Sequence, residues 1–197
     1  MKVLILSGSR NRKGRTAQLI KALEKGLSRA DGQFETIFLT ECKLERCRQC
    51  NADGWGVCLK ERRCILQDDF VALVDKIRSS AAVVFASPVY YQDLSESLRC
   101  FLDRLRRTGL VTQPADGKPA EALKIPAVGL CFAGGSGNGT TEALANLERI
   151  LRSCGFDCVD MITARRQNLE MKLPLLEKVG EWLISRPSSG PLRLPQR

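Results

Sequence analysis

Five short apolar segments alternate with longer segments of helical period, and this alternation constrains the fold more than any other feature of the chain. The candidate strands are residues 2–6, 35–38, 82–86, 126–132 and 157–162. Each is a near-continuous apolar run and not a strict alternation, as expected for strands covered on both faces. Between them, 16–29 carries Leu19, Ile20, Leu23 and Leu27, and 69–79 carries Phe70, Leu73, Val74 and Ile77. Residues 94–105 carry Leu98, Phe101, Leu102 and Leu105, 141–154 carry Leu144, Leu147, Ile150 and Leu151, and 173–184 carry Leu175, Leu176, Val179, Trp182 and Leu183. These are the spacings of amphipathic helices packed on a sheet. Alternating β and α elements predict an α/β fold with an open parallel sheet.

The 197 residues, 44% of them hydrophobic, suit one domain with a sizeable core. No apolar run reaches the roughly 20 residues that span a bilayer. The opening MKVLILSGSR is too short in apolar residues for a secretory signal and reads as a buried first strand. The expectation is therefore a cytoplasmic protein with no membrane contact. A net charge of +9 favours anionic ligands such as phosphate-bearing cofactors. Aromatics are only 6% and are not interleaved with Lys and Arg, which argues against nucleic acid as partner. There are nine Cys and no His, which removes Ser-His-Asp triads, Cys-His dyads and His-ligated metals. Residues 186–197 hold three Pro and read as a disordered tail outside the domain at 1–185.

Three loops carry the chemistry. Residues 7–16, SGSRNRKGRT, join the first strand to a helix; Gly and small residues let backbone N–H groups converge, and the helix adds its positive end. Ser7, Ser9 and Thr16 supply hydroxyls, and Arg10, Arg12, Lys13 and Arg15 supply charge. A mononucleotide phosphate suits this loop, which lacks both the ending of a nucleoside triphosphate loop and the spacing of a dinucleotide fingerprint. Residues 87–104, SPVYYQDLSESLRCFLDR, follow the third strand: Pro88 would stiffen the turn, Val89 and Tyr90 offer a flat apolar surface, and Tyr91 can cover a planar ring. Residues 133–144, AGGSGNGTTEAL, follow the fourth strand, and their glycines permit close backbone approach. In open α/β sheets, ligands lie beyond the strand C-termini at the topological switch point.

In their order along the chain, GSRNRKGRT, CRQC, RCILQDDF, SPVYYQDLSESLRCFLDR, GKP at 117–119 and AGGSGNGTTEAL resemble the NADPH-dependent FMN reductase family, and within it the iron–sulfur flavoprotein branch. The resemblance implies a flavodoxin-like three-layer sandwich with a five-stranded parallel sheet in order 2-1-3-4-5. It also implies FMN bound by the three loops and assembly as a homodimer or homotetramer. On matching positions, Ser9, Arg10, Gly14, Arg15 and Thr16 would hold the phosphate. Pro88, Val89, Tyr90 and Tyr91 would contact the ring, with Gly134 and Gly135 beside it. Arg15 and Asp93 stand where the family commonly has Asn.

Cys47, Cys50, Cys58 and Cys64 lie within eighteen residues, inside a Cys-rich loop at 42–64. Flanking Arg and Lys favour thiolates. Family members with a [4Fe–4S] cluster have a third Cys two residues after the second; here Asp53 comes near that spot and the next thiol is Cys58. An iron–sulfur cluster, a zinc site and metal-free thiols in an ordered loop all remain open. The other thiols, Cys100, Cys131, Cys154 and Cys158, read as core fillers. The function expected is an FMN-dependent oxidoreductase passing electrons from NAD(P)H to a small-molecule acceptor. The alternative is an iron–sulfur electron carrier between a ferredoxin-like protein and FMN.

Overall fold

The first strand, β1 (Lys2–Ser7), is buried from Val3 to Ser7 because both its faces are covered. Val3 and Ile5 enter one core, with Leu19, Leu23, Leu176 and Leu183; Leu4 and Leu6 enter the other, with Phe70, Phe101 and Leu147. A period of two with apolar residues on both faces therefore makes the central layer of a three-layer sandwich. The computed structural model describes residues 1–108 and 124–186. The GKP motif at 117–119 and the tail beyond residue 186 lie outside the described residues.

β1 is followed by α1 (Arg15–Arg29), β2 (Gln33–Phe38), a 3-10 turn (Leu39–Glu41), the short α2 (Cys58–Glu61) and α3 (Phe70–Arg78). Then come β3 (Ala82–Tyr90), β4 (Asp93–Leu94), α4 (Glu96–Thr108), β5 (Pro126–Ala133), α5 (Thr140–Ser153) and β6 (Asp157–Arg165). A second 3-10 turn (Arg166–Asn168) leads into α6 (Leu169–Ser185). The sheet order is β2-β1-β3-β5-β6, all parallel, with β4 folded back antiparallel on the end of β3. Leaving out that two-residue strand recovers the expected 2-1-3-4-5. Helices α1 and α6 cover one face and cross where two glycines meet. A Cβ on Gly26 would lie 1.9 Å from Glu177 O, and one on Gly180 would lie 2.3 Å from Leu23 O.

Three of the boundaries that differ from the sequence reading have a clear physical cause. The third strand continues to Tyr90, so Pro88 lies in a strand and stiffens no turn; it stands opposite Phe132 of β5. β1 has already ended at Ser7, opposite Ala86, which leaves one flank of β3 without a ladder where Pro88 sits, a setting that tolerates proline. Helix α4 begins at Glu96 instead of residue 94, because Asp93 and Leu94 pair with β3. Helix α6 opens at Leu169, a turn before the expected 173; buried Leu169 anchors that earlier turn, and Pro174 lies inside the helix. Among the described residues, no helix is long and apolar enough to cross a membrane.

Candidate functional site

The loops after β1, β3 and β5 leave the same edge of three neighbouring strands, at the point where the chain reverses direction across the sheet. They interlock. Gly8 N–H donates to Ala86 O at 2.8 Å, and Ser97 Oγ donates to Gly8 O at 3.0 Å. A Cβ on Gly8 would lie 2.1 Å from Ser95 Oγ, so only glycine lets the first loop touch the start of α4. Buried Ser87 accepts the Ser95 N–H at 2.9 Å and holds that helix start to β3.

The first loop is wound on its own polar groups. Ser9 is buried; its hydroxyl accepts the Asn11 N–H, and Asn11 Oδ1 accepts the Lys13 N–H. Gly14 caps α1 with extended backbone and no side-chain bond, and the first turn has no acidic residue. The N–H groups of Arg15, Thr16 and Ala17 therefore keep the dipole end of a fifteen-residue helix available to an anion. Thr16 is buried beside them, while Arg15 is exposed and donates to Gln18 Oε1 at 3.0 Å. The remaining basic side chains are partly engaged: Arg10 pairs with Glu96 at 2.9 Å, and Arg12 pairs with Glu41 while lying 4.6 Å over the Phe38 ring. The Arg12 hydrogen bond holds the Glu41 carboxyl below the usual range.

Tyr90 and Tyr91 stand at the tip of the β3–β4 hairpin, Tyr91 fully exposed. Tyr91 and Gln92 both adopt left-handed backbone, with φ of 47° and 66°. That is the geometry of a tight two-residue hairpin turn, here built without glycine. Two consecutive non-glycine residues in this region carry strain, which is concentrated where a turn must present particular side chains. Across from the hairpin, a Cβ on Gly134 or Gly135 would meet nothing within 4 Å, so both present bare backbone outward. Gln167 Nε2 donates to Ser136 O at 3.0 Å and holds this loop from behind. Asp93 Oδ1 takes the Leu94 N–H at 2.8 Å. The structure thus brings the candidate residues Ser9, Gly14, Arg15, Thr16, Pro88, Val89, Tyr90, Tyr91, Gly134 and Gly135 to one sheet edge, with Arg10 at its rim.

An uncapped, carboxylate-free helix start, exposed aromatics and side-chain-free backbone fit the phosphate and the planar ring of a flavin mononucleotide. The cysteine loop lines a second pocket. Cys47, Cys50, Cys58 and Cys64 line one pocket together with Arg48, Arg63, Arg104 and Arg107. Among the described residues, no three Cys, Asp or Glu side chains are gathered as a metal-ligand set, so the thiols share a wall and do not form a finished cage. The lining holds four thiols and no carboxylate, a soft-metal donor set by residue type, but the thiols are not gathered to one point. Of the expected core fillers, Cys131 and Cys154 are buried, while Cys100 and Cys158 are half-buried. Sequence reasoning missed Arg104, which is 1% exposed and pairs in two-pronged fashion with Asp68 at 2.5 and 2.9 Å. The signal was there: a lone charge between Phe101 and Leu105 on the apolar face of a helix.

Comparison with known proteins finds relatives both in sequence and in fold. An iron–sulfur flavoprotein of Archaeoglobus fulgidus is 30% identical over 105 residues, 53% of this chain and 46% of that protein. An iron–sulfur flavoprotein of Methanosarcina thermophila is 27% identical over 146 residues, 72% of this chain and 68% of that protein. The chain spans about half the length of the first of these relatives. In fold it is similar to an NAD(P)H:quinone oxidoreductase from Methanothermobacter marburgensis, with a TM-score of 0.67 at 19% identity over 93% of this chain and 96% of the other. The sequence model of the NADPH-dependent FMN reductases matches residues 1–168, and the chain belongs to that family.

Proposed function

We propose that the three loops hold FMN non-covalently and that the chain is an FMN-dependent oxidoreductase, taking electrons from NAD(P)H to a small-molecule acceptor. The observation that carries this reading is the meeting of an uncapped α1 start, the strained Tyr91–Gln92 turn and the bare Gly134–Gly135 backbone at one sheet edge. When bound, FMN supplies the hydride and electron chemistry. The first-turn N–H groups of α1 and the Thr16 hydroxyl bind the phosphate, with Arg15 adding charge at the rim. Tyr90 and Tyr91 bound the ring on the hairpin side, and the backbone of Gly134 and Gly135 bounds it on the other. Hydride transfer asks no proton from a side chain, in keeping with a chain that has no His. The reductant shares the open side of this pocket, and a homodimer or homotetramer is the assembly proposed. Anaerobic mixing of the FMN-loaded protein with NADPH or NADH tests the reading. Rapid loss of the flavin absorbance is expected, and bleaching no faster than in buffer would remove the reductase.

A second reading is favoured by the cysteine pocket. The chain would then carry electrons between a ferredoxin-like protein and FMN through a metal centre at Cys47, Cys50, Cys58 and Cys64. Its basic surface suits an acidic partner. Metal analysis of anaerobically purified protein separates the two.

A further inference from the structure

β6 runs parallel to β5 and ends at Arg165, so the 3-10 turn after it emerges at the sheet edge that carries the three loops. Between this turn and the first turn of α1 lies a groove of about 710 Å³, within the size range of small-ligand pockets. Arg15 and Gln18 stand on one side, and Arg166, Met171 and Leu173 on the other. The groove adjoins the proposed flavin site at two points. Arg15 is at the rim of the phosphate loop, and Gln167, in the groove wall, holds the Ser136 carbonyl of the loop beside the ring. FMN ends at its phosphate, so a ligand in this groove is a further group and not part of FMN.

The bonds already made narrow what a ligand would meet there. Gln18 Oε1 accepts from Arg15 at 3.0 Å, Asn168 Oδ1 accepts the Arg165 N–H at 2.7 Å, and Gln167 Nε2 donates to Ser136 O. The charges are less engaged. Among the described residues, Arg15 has only that neutral amide as partner, and exposed Arg166 has no hydrogen bond or ion pair. Glu170 is the one carboxylate in the lining, so the two guanidiniums leave net positive charge. Met171 is 58% exposed and Leu173 is half-buried, an apolar surface on which a planar base can lie. Free guanidinium beside such a surface is the pairing that takes a phosphate together with a base. We propose that the groove is a subsite for adenosine bearing a phosphate, with Arg166 and Arg15 on the phosphate and Met171 and Leu173 under the base. Two cofactors carry that moiety: NADPH, whose 2′-phosphoadenosine half would enter from the open side of the flavin pocket, and FAD, whose adenylate half would enter through the flavin phosphate. NADPH fits better, because a terminal phosphate offers three oxygens to the two guanidiniums. The proposal rests on the reductase reading above and deepens it.

The test uses the full chain loaded with FMN, with 2′,5′-ADP and 5′-AMP as probes in calorimetry. Both probes should bind. Arg166→Gln, at an exposed position outside the three flavin loops, should weaken 2′,5′-ADP by about 10-fold, the size of one lost charge-assisted phosphate contact, with FMN affinity unchanged. Met171→Ala should weaken both probes. Two further measurements separate the sources. If the moiety belongs to NADPH, Arg166→Gln raises KM for NADPH by about 10-fold and leaves KM for NADH and kcat as they were. If it belongs to FAD, the parent apoprotein binds FAD more tightly than FMN, and Arg166→Gln removes the difference. Binding of neither probe, or binding that neither substitution weakens, overturns the subsite. Probe binding needs no turnover. A chain whose flavin NADPH fails to bleach, while Arg166 still governs probe binding, loses the reductase reading and keeps the subsite.

Discussion

Gly139 lies so close to Gln92 that a Cβ on it would stand 2.6 Å from the Gln92 Cα, and its φ of 79° is itself left-handed. The contact fastens the β3–β4 hairpin to the start of α5, and so sets the gap between the two loops proposed to flank the flavin ring. Gly139→Ala therefore meets both a backbone clash and an unfavourable φ. The expected loss is about 1–2 kcal/mol of stability, together with a rise in the FMN dissociation constant of roughly 10-fold as the two loops part. Thermal unfolding of the apoprotein and flavin fluorescence titration read the two effects separately. Unchanged FMN affinity would show that the gap is set elsewhere.

Arg15→Glu should move stability and binding in opposite directions. A carboxylate at the start of α1 complements the helix dipole and should stabilise the apoprotein by about 0.3–1 kcal/mol. The same carboxylate repels the phosphate proposed to sit there, and FMN affinity should drop by at least about 10-fold. Riboflavin, which lacks the phosphate, should show no such loss. Equal effects on FMN and riboflavin would place the phosphate at another loop.

The Asp68 carboxyl is held below its ordinary range. Burial works against its ionisation, but the hydrogen bonds from Arg104 and the Glu45 N–H outweigh it. Because the folded value is lowered, this contribution is complete above the ordinary carboxylate range and is lost as pH falls through it toward the folded value. Acid should therefore loosen the base of the cysteine loop. Asp68→Asn leaves the Arg104 charge buried and should cost about 3–5 kcal/mol at neutral pH, with a flatter dependence of stability on acid. Denaturant melts between pH 7 and pH 3 measure this.

Thiol reactivity should divide the nine cysteines. Burial, with a smaller push from Asp93, raises Cys131 from 9.0 to about 12; burial likewise raises Cys154 to about 12 and Cys158 to about 11. Their thiols stay protonated at pH 8, whereas Cys50 is exposed. In the native protein an aromatic disulfide reagent should modify Cys50 well before Cys131 and Cys154, which react only on unfolding. The raised values also contribute stability that is present below the ordinary thiol range and is lost as pH rises toward 12. Mass mapping of labelled peptides over time checks the order.

Much of the scaffold was legible because burial on both faces leaves a strong local trace. The continuous apolar runs at Val3–Leu6 and Val83–Ala86 mark central strands, and Leu19, Ile20, Leu23 and Leu27 mark the buried stripe of α1. The three polar loops were legible for a related reason: each follows a strand, so each must emerge at the same sheet edge.

What the sequence by itself determined was therefore the α/β class, the strand-to-loop order and the family motifs, since each depends on residues adjacent in the chain or spaced by a helix turn. Tertiary structure alone decided the contacts between distant segments. Two residues of hairpin strand at Asp93–Leu94 form only because the end of β3 is free to pair with them. The Gly139–Gln92 contact joins loops from two strands that are far apart in sequence but neighbours in the sheet. Arg104 meets Asp68 across thirty-six positions, beside a pocket whose four thiols line a common wall without being drawn into a cage. Local patterning carries the hydrophobic effect, which has no direction. Close backbone approach and paired buried charge depend on distances of a few tenths of an ångström, and those exist only once the layers have packed.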